Sequence, residues 1–219
     1  MAETTIVLTA DAFSLAPDRA ELFRWLKCPE DLPAHRAFLE AWDEARACFE
    51  RLCAPLCLAH LTPEGQATVF LTAGAALEAE VDRCFARGAC AQAALLNLMA
   101  DQALFEMDGQ AAKLLETRLA AQGLYIAARR EAPVDFPLAL QRRLFAPLAP
   151  SAPGISVTEA GVFRPVKSML FCLDTTPTPC HGQAAHDCSR CRMQHCPYRR
   201  LRTQSIGSST HNQTEDRRP

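Results

Sequence analysis

Four cysteines fall within 17 residues near the C-terminus, as Cys180-x7-Cys188-x2-Cys191-x4-Cys196-Pro197, in a segment with almost no apolar side chains. Such a segment has little to bury, so its order depends on ligation. This one feature divides the chain. A body with apolar patterning runs to about Asp174, and a tail of Thr, Pro, Cys, His and Arg follows it. Of the 11 cysteines, Cys28, Cys48, Cys53, Cys57, Cys84 and Cys90 lie among apolar or helical segments, and the odd total leaves a thiol over in any fully paired set. Cys172, inside Met169-Leu170-Phe171-Cys172-Leu173, reads as a buried small hydrophobe.

Thiolates at the tail spacing can close around one tetrahedral metal or one cluster, because a Cys-x2-Cys step brings two sulfurs to one centre across a tight turn. Cys180, Cys188, Cys191 and Cys196 are therefore the candidate metal ligands. Neighbouring Arg190, Arg192, Arg199 and Arg200 would lower thiolate pKa values and offset the charge of the site. An iron-sulfur cluster, zinc, and reduced or redox-active thiols all remain open on softness and spacing. His181, His186 and His195 are alternative ligands, though they read better as solvated bystanders.

The body is long enough to bury its own core. With 219 residues, 49% hydrophobic composition and a net charge of −2, the whole chain has no field to attract nucleic acid or an anionic membrane. No stretch approaches the roughly 20 apolar residues of a membrane span, and Met1-Ala2-Glu3-Thr4-Thr5 lacks the features of a secretion signal, so a cytoplasmic location is expected. Phe38, Trp42, Ala45, Phe49 and Leu52 recur at helical spacing within residues 35–52, ended by Pro55. Residues 66–72 read as a strand. Residues 76–87, 90–107 and 110–131 read as three helices punctuated by Gly88 and Asp108-Gly109, and Asp135 reads as the cap of a further helix. Two strands, 155–163 and 168–174, complete an α+β layout in which helices pack on a bent antiparallel sheet. The expected organisation is a body over residues 1–175, a cysteine-rich metal-binding tail over 176–202, and a disordered end over 203–219.

Three segments together resemble the activation domain of cobalamin-dependent methionine synthase, in particular its short stand-alone forms. They are Asp135-Phe136-Pro137-Leu138 with Gln141; Ile155-Ser156-Val157-Thr158-Glu159-Ala160 followed by Pro165-x-Lys167-Ser168; and the tail Cys188-x2-Cys191-x4-Cys196-Pro197-Tyr198-Arg199. The resemblance implies S-adenosylmethionine binding and reductive methylation of cobalamin carried by a partner, a methionine synthase or another corrinoid protein. It implies site roles for Arg129, Asp135, Thr158, Glu159, Lys167 and Ser168. Where the family has an arginine and then a Gly-Tyr turn, this chain has Ala128, with Arg129 one step on, and Ala132-Pro133. The departure predicts weakened binding of the methyl donor.

The expected function is that of an accessory or activation protein, methyltransferase-associated, for corrinoid-dependent methionine synthesis. The alternative is a non-catalytic or electron-delivering iron-sulfur or zinc module on a degenerate form of the same fold.

Overall fold

The computed structural model describes residues 3–180, 182–188, 196 and 198. By compactness the chain divides into Met1–His186 and Asp187–Pro219. Of the second unit only Asp187, Cys188, Cys196 and Tyr198 are described; Cys191 lies outside the described residues, as does the segment 203–219.

The first unit is α+β. Its strands β1 (Thr4–Leu8), β2 (Leu56–Leu61), β3 (Gln66–Thr72), β4 (Tyr125–Glu131) and β7 (Ser168–Thr176) form an antiparallel sheet in the order β1-β2-β3-β7-β4. Two short strands, β5 (Ser156–Val157) and β6 (Phe163–Arg164), make a separate hairpin. The helices are α1 (Arg19–Leu26), α2 (Pro33–Leu52), α3 (Ala75–Ala86), α4 (Cys90–Ala120) and α5 (Leu140–Phe145). None among the described residues is long and apolar enough to cross a membrane.

Both sheet faces are covered. On one, Ile6, Leu8, Cys57, Val69, Leu71, Phe171 and Leu173 meet Met107, Ala111 and Leu115 of α4. On the other, Leu58, Phe70, Leu170 and Cys172 meet Phe136, Phe145, Leu148 and Phe163. There the rings of Phe70, Phe145 and Phe163 stand 4.8–5.4 Å apart in tilted and edge-on pairs, arrangements that aromatic quadrupoles favour. Residues burying alternate sides of a strand explain why β2 and β3 read as continuous apolar runs. Cys172 is indeed buried, and burial pushes its thiol pKa up, keeping it a neutral packing group.

The helix α2 packs against α4 and buries Trp42, Ala45 and Phe49 of the expected face together with Cys48, while Phe38 and Leu52 at its ends are half-buried. Four local expectations are corrected. Asp108-Gly109 does not break the chain: α4 runs through it for 31 residues, because its surroundings are buried on one side by the sheet and on the other by α2 and α3. Residues 125–131 are the strand β4 rather than the end of a helix, so tertiary pairing with β7 overrides the helical propensity of Ala, Arg and Glu. Asp135 caps no helix; α5 starts five residues later, with Ala139 at its N-cap. The segment 155–163 is two-residue β5 and a turn, since Gly161 sits at φ +86 with a would-be Cβ only 1.9 Å from Leu138 O, a place only glycine can occupy. Leu56–Leu61, which follows Pro55 and for which the sequence predicts no element, is a core strand.

Candidate functional site: a buried charge cluster under a chain strap

A register shift between Ile126 and Ala128 decides which way β4 points its side chains. Without it Ile126, Ala128 and Arg130 would share a face. The extra residue, Ala127, puts Ile126 opposite Thr175 and Arg129 opposite Leu173, so both face α4, while Ala128 and Arg130 turn to the other side. Arg130 there pairs with Asp174 at 2.7 Å.

Arg129 thus enters the α4 side of the core, with its side chain 8% exposed. Its partner is Asp108, placed on the same helical stripe as Leu104, Ala111 and Leu115 and 3% exposed. A carboxylate in that position is costly unless it is paired and hydrogen-bonded. Arg129 Nη1 donates to Asp108 Oδ1 at 2.6 Å, Arg129 Nε donates to Glu131 Oε1, and the guanidinium lies 3.6 Å from the centre of the Phe171 ring. Charge-assisted bonds and a cation–π contact therefore fix the guanidinium on three sides.

The fourth side is closed by the chain itself. Residues 182–186 come back over β4 as a strap. Arg129 Nη1 donates to Ala184 O at 2.6 Å, His186 N donates to Asp108 Oδ2 at 3.0 Å, and His186 Nδ1 lies 3.0 Å from both Glu131 oxygens. Ala184 is fully buried. The Cys180 thiol, just ahead of the strap, donates to Ile126 O at 3.2 Å. Gly182 is required here, since a Cβ would stand 1.9 Å from Ile126 O. Burial pushes the Glu131 carboxyl up, but the His186 hydrogen bond and the Arg129 and His186 charges outweigh it and hold the group below the usual carboxylate range.

The remaining expected residues lie at other points of the fold. Asp135 is exposed and closes the turn after β4: Glu131 N donates to its Oδ2, and Asp135 N donates to Glu131 O, both at 2.8 Å. The peptide between Ala132 and Pro133 in this turn is cis. Thr158 and Glu159 are exposed at the tip of the β5–β6 hairpin, where Val162 N donates to Thr158 Oγ1 at 3.0 Å. Lys167 Nζ donates to Asp101 of α4 at 2.6 Å, and Ser168 Oγ lies 2.8 Å from Pro165 O and 2.9 Å from Thr72 Oγ1, so both pin the start of β7. Asp101 and Asp108 are seven residues apart, about 10.5 Å along the helix axis, and each receives one cation from the sheet layer.

Among the described residues no group of three or more His, Cys, Asp or Glu could hold a metal ion. The four-cysteine set includes Cys191, which is outside them. An open pocket of about 280 Å³ lies beside the strap, lined by Glu116, Leu124, Tyr125, Ile126, Cys180 and Gly182.

Sequence reasoning overlooked Asp108, Glu131 and Asp101, and took His186 for a bystander. The available signal was Asp108 itself: a carboxylate on the apolar stripe of a helix demands a buried partner. Its partners, 21 and 78 residues away, could not be read from local pattern.

The architecture defines a class by fold alone: an α+β domain with helices on a five-stranded antiparallel sheet. A crystal structure of the MetH reactivation domain bound to AdoHcy matches with TM-score 0.50 and 13% identity, over 84% of this chain and 82% of that one. No protein-family model and no curated protein sequence matches the chain. At this identity the likeness is one of fold.

Proposed function

We propose that the chain is an accessory protein for a cobalamin-dependent methionine synthase or another corrinoid protein, and that it supports S-adenosylmethionine-dependent reductive methylation of the partner's cobalamin. The observation that carries this reading is the coincidence of an activation-domain fold with a charged cluster at Arg129, one step from the position that the resemblance gives to the family arginine. A guanidinium beside one buried carboxylate, Asp108, and one part-exposed carboxylate, Glu131, suits the carboxylate and ammonium of an amino-acid-like donor. In this reading Arg129 takes the carboxylate, Asp135 holds the turn that follows Glu131, and Lys167 with Ser168 holds the start of β7 in place, whereas Thr158 and Glu159 lie on the hairpin at the opposite sheet face, away from the cluster. When bound, the donor supplies the methyl group and cobalamin accepts it. The protein's own contribution is positioning, which converts an encounter of two bound groups into an effectively unimolecular event.

A second reading has its own support. Ala132-Pro133 replaces the Gly-Tyr turn, and residues 182–186 occupy the cluster, both of which fit a non-catalytic or electron-delivering module whose tail cysteines carry an iron-sulfur cluster or zinc. Titration calorimetry with S-adenosylmethionine separates the two. The first reading expects weak binding that strengthens in the Ala132→Gly, Pro133→Tyr double variant, together with recovery of methionine synthase trapped as cob(II)alamin. Absence of donor binding in both forms, with retained binding to the corrinoid protein, selects the second.

A further inference from the structure

We infer that residues 182–186 are a displaceable strap which occupies the Arg129–Asp108–Glu131 cluster as an internal ligand, so that an external ligand of the cluster binds only when the strap lifts. The inference deepens the reading of this cluster as a ligand site and rests on it.

The strap's contacts have the character of a ligand's. It offers one acceptor, Ala184 O, to the guanidinium, and two donors, His186 N and the His186 imidazole, to the two carboxylates. That is the set of groups an amino acid or its derivative presents: an oxygen acceptor beside a cationic N–H donor. Asp108 divides its oxygens accordingly, Oδ1 to the sheet through Arg129 and Oδ2 to the strap. With the strap down, Asp108 is 3% exposed and its Oδ2 accepts from His186 N, so the closed strap keeps that oxygen satisfied in the free protein; lifting it without a ligand leaves water as the replacement donor.

Its attachment involves no strand pairing: Ala184 and Ala185 pack against the core and the rest is held by hydrogen bonds. Residues 182–186 form no strand, and of them only Ala184 is buried. The segment before it, Pro177 to Cys180, is exposed, and the first compact unit ends at His186, so the strap is that unit's last piece. Lifting it leaves the sheet pairing of β4 with β7 intact. A ligand can shift such an equilibrium only by its differential affinity for the open form, and the closed population lowers its apparent affinity in proportion.

Hydrogen exchange of the full chain, read by mass spectrometry with and without S-adenosylmethionine, tests the strap without any mutation. Saturating donor is expected to speed exchange across 182–186 and to slow it in β4. Calorimetry on His186→Ala and, separately, Gly182→Val is expected to show donor affinity raised roughly tenfold, corresponding to about 1.4 kcal/mol. Donor binding with strap exchange unchanged or slowed overturns the strap while sparing the site. If His186→Ala exchanges freely at 182–186 yet neither it nor the wild type binds donor, the site reading fails and the strap as its regulator fails with it.

Discussion

Arg129 and Asp108 form an ion pair in which both side chains are buried. Removal of Arg129 leaves Asp108 charged in the core without its counter-ion, while removal of Asp108 leaves Arg129 with the part-exposed Glu131 alone as counter-ion. Arg129→Leu is expected to cost about 3–5 kcal/mol, while the double variant with Asp108→Leu should recover most of the loss, since a well-packed apolar pair dispenses with desolvating two charges. Urea unfolding of the two variants against wild type measures it. Glu131 adds a pH dependence. Its folded pKa lies below the ordinary 4.5, so its stabilising contribution is fully present above that value and is lost as the pH falls through the lower folded pKa. The stability difference between wild type and Glu131→Gln should therefore shrink as the pH falls below about 4.5 and Glu131 takes up its proton; a difference that goes on growing there would contradict the assignment.

At the scale of elements, α4 is the organiser. It lies between the sheet and the pair α2 and α3, and presents Asp101 and Asp108 to Lys167 and Arg129. Gly109 sits inside it in ordinary helical surroundings, and a Cβ there would meet nothing within 4 Å. Gly109→Ala should therefore stabilise the protein by about 0.5–1 kcal/mol, through the unfolded chain's lost freedom and the helix's gained propensity. A rise in Tm is the readout; no change would mean that Gly109 has a steric role in α4. The strand β4 is the opposite case, since its helix-forming composition is held extended by pairing with β7, and its bulge, not its sequence pattern, aims Arg129.

For the whole molecule, the tail makes a prediction independent of the body. Protein purified without oxygen is expected to carry one metal centre on Cys180, Cys188, Cys191 and Cys196, and any single Cys→Ser change there should remove it while the far-UV circular dichroism of the body persists. The body, strap included, has its own two-faced core, whereas the sequence after His186 has few apolar side chains to bury. Elemental analysis and visible absorption distinguish iron and sulfide from zinc, and free alkylation of all four thiols in protein that has lost no metal would refute the centre.

The sequence by itself determined the α+β class, the amphipathic helix α2, the strand β3, the start of β7 and the burial of Cys172, because each depends on a local period or an apolar run. It could not determine that 125–131 is a strand, that α4 continues through Asp108-Gly109, or that Arg129, Asp108, Glu131 and His186 meet. Those outcomes turn on pairing with β7, on a one-residue bulge and on contacts between positions up to 78 residues apart. Local propensities differ by less than about 1 kcal/mol per residue, and only tertiary burial, acting on charges that must find partners inside the core, is strong enough to overrule them.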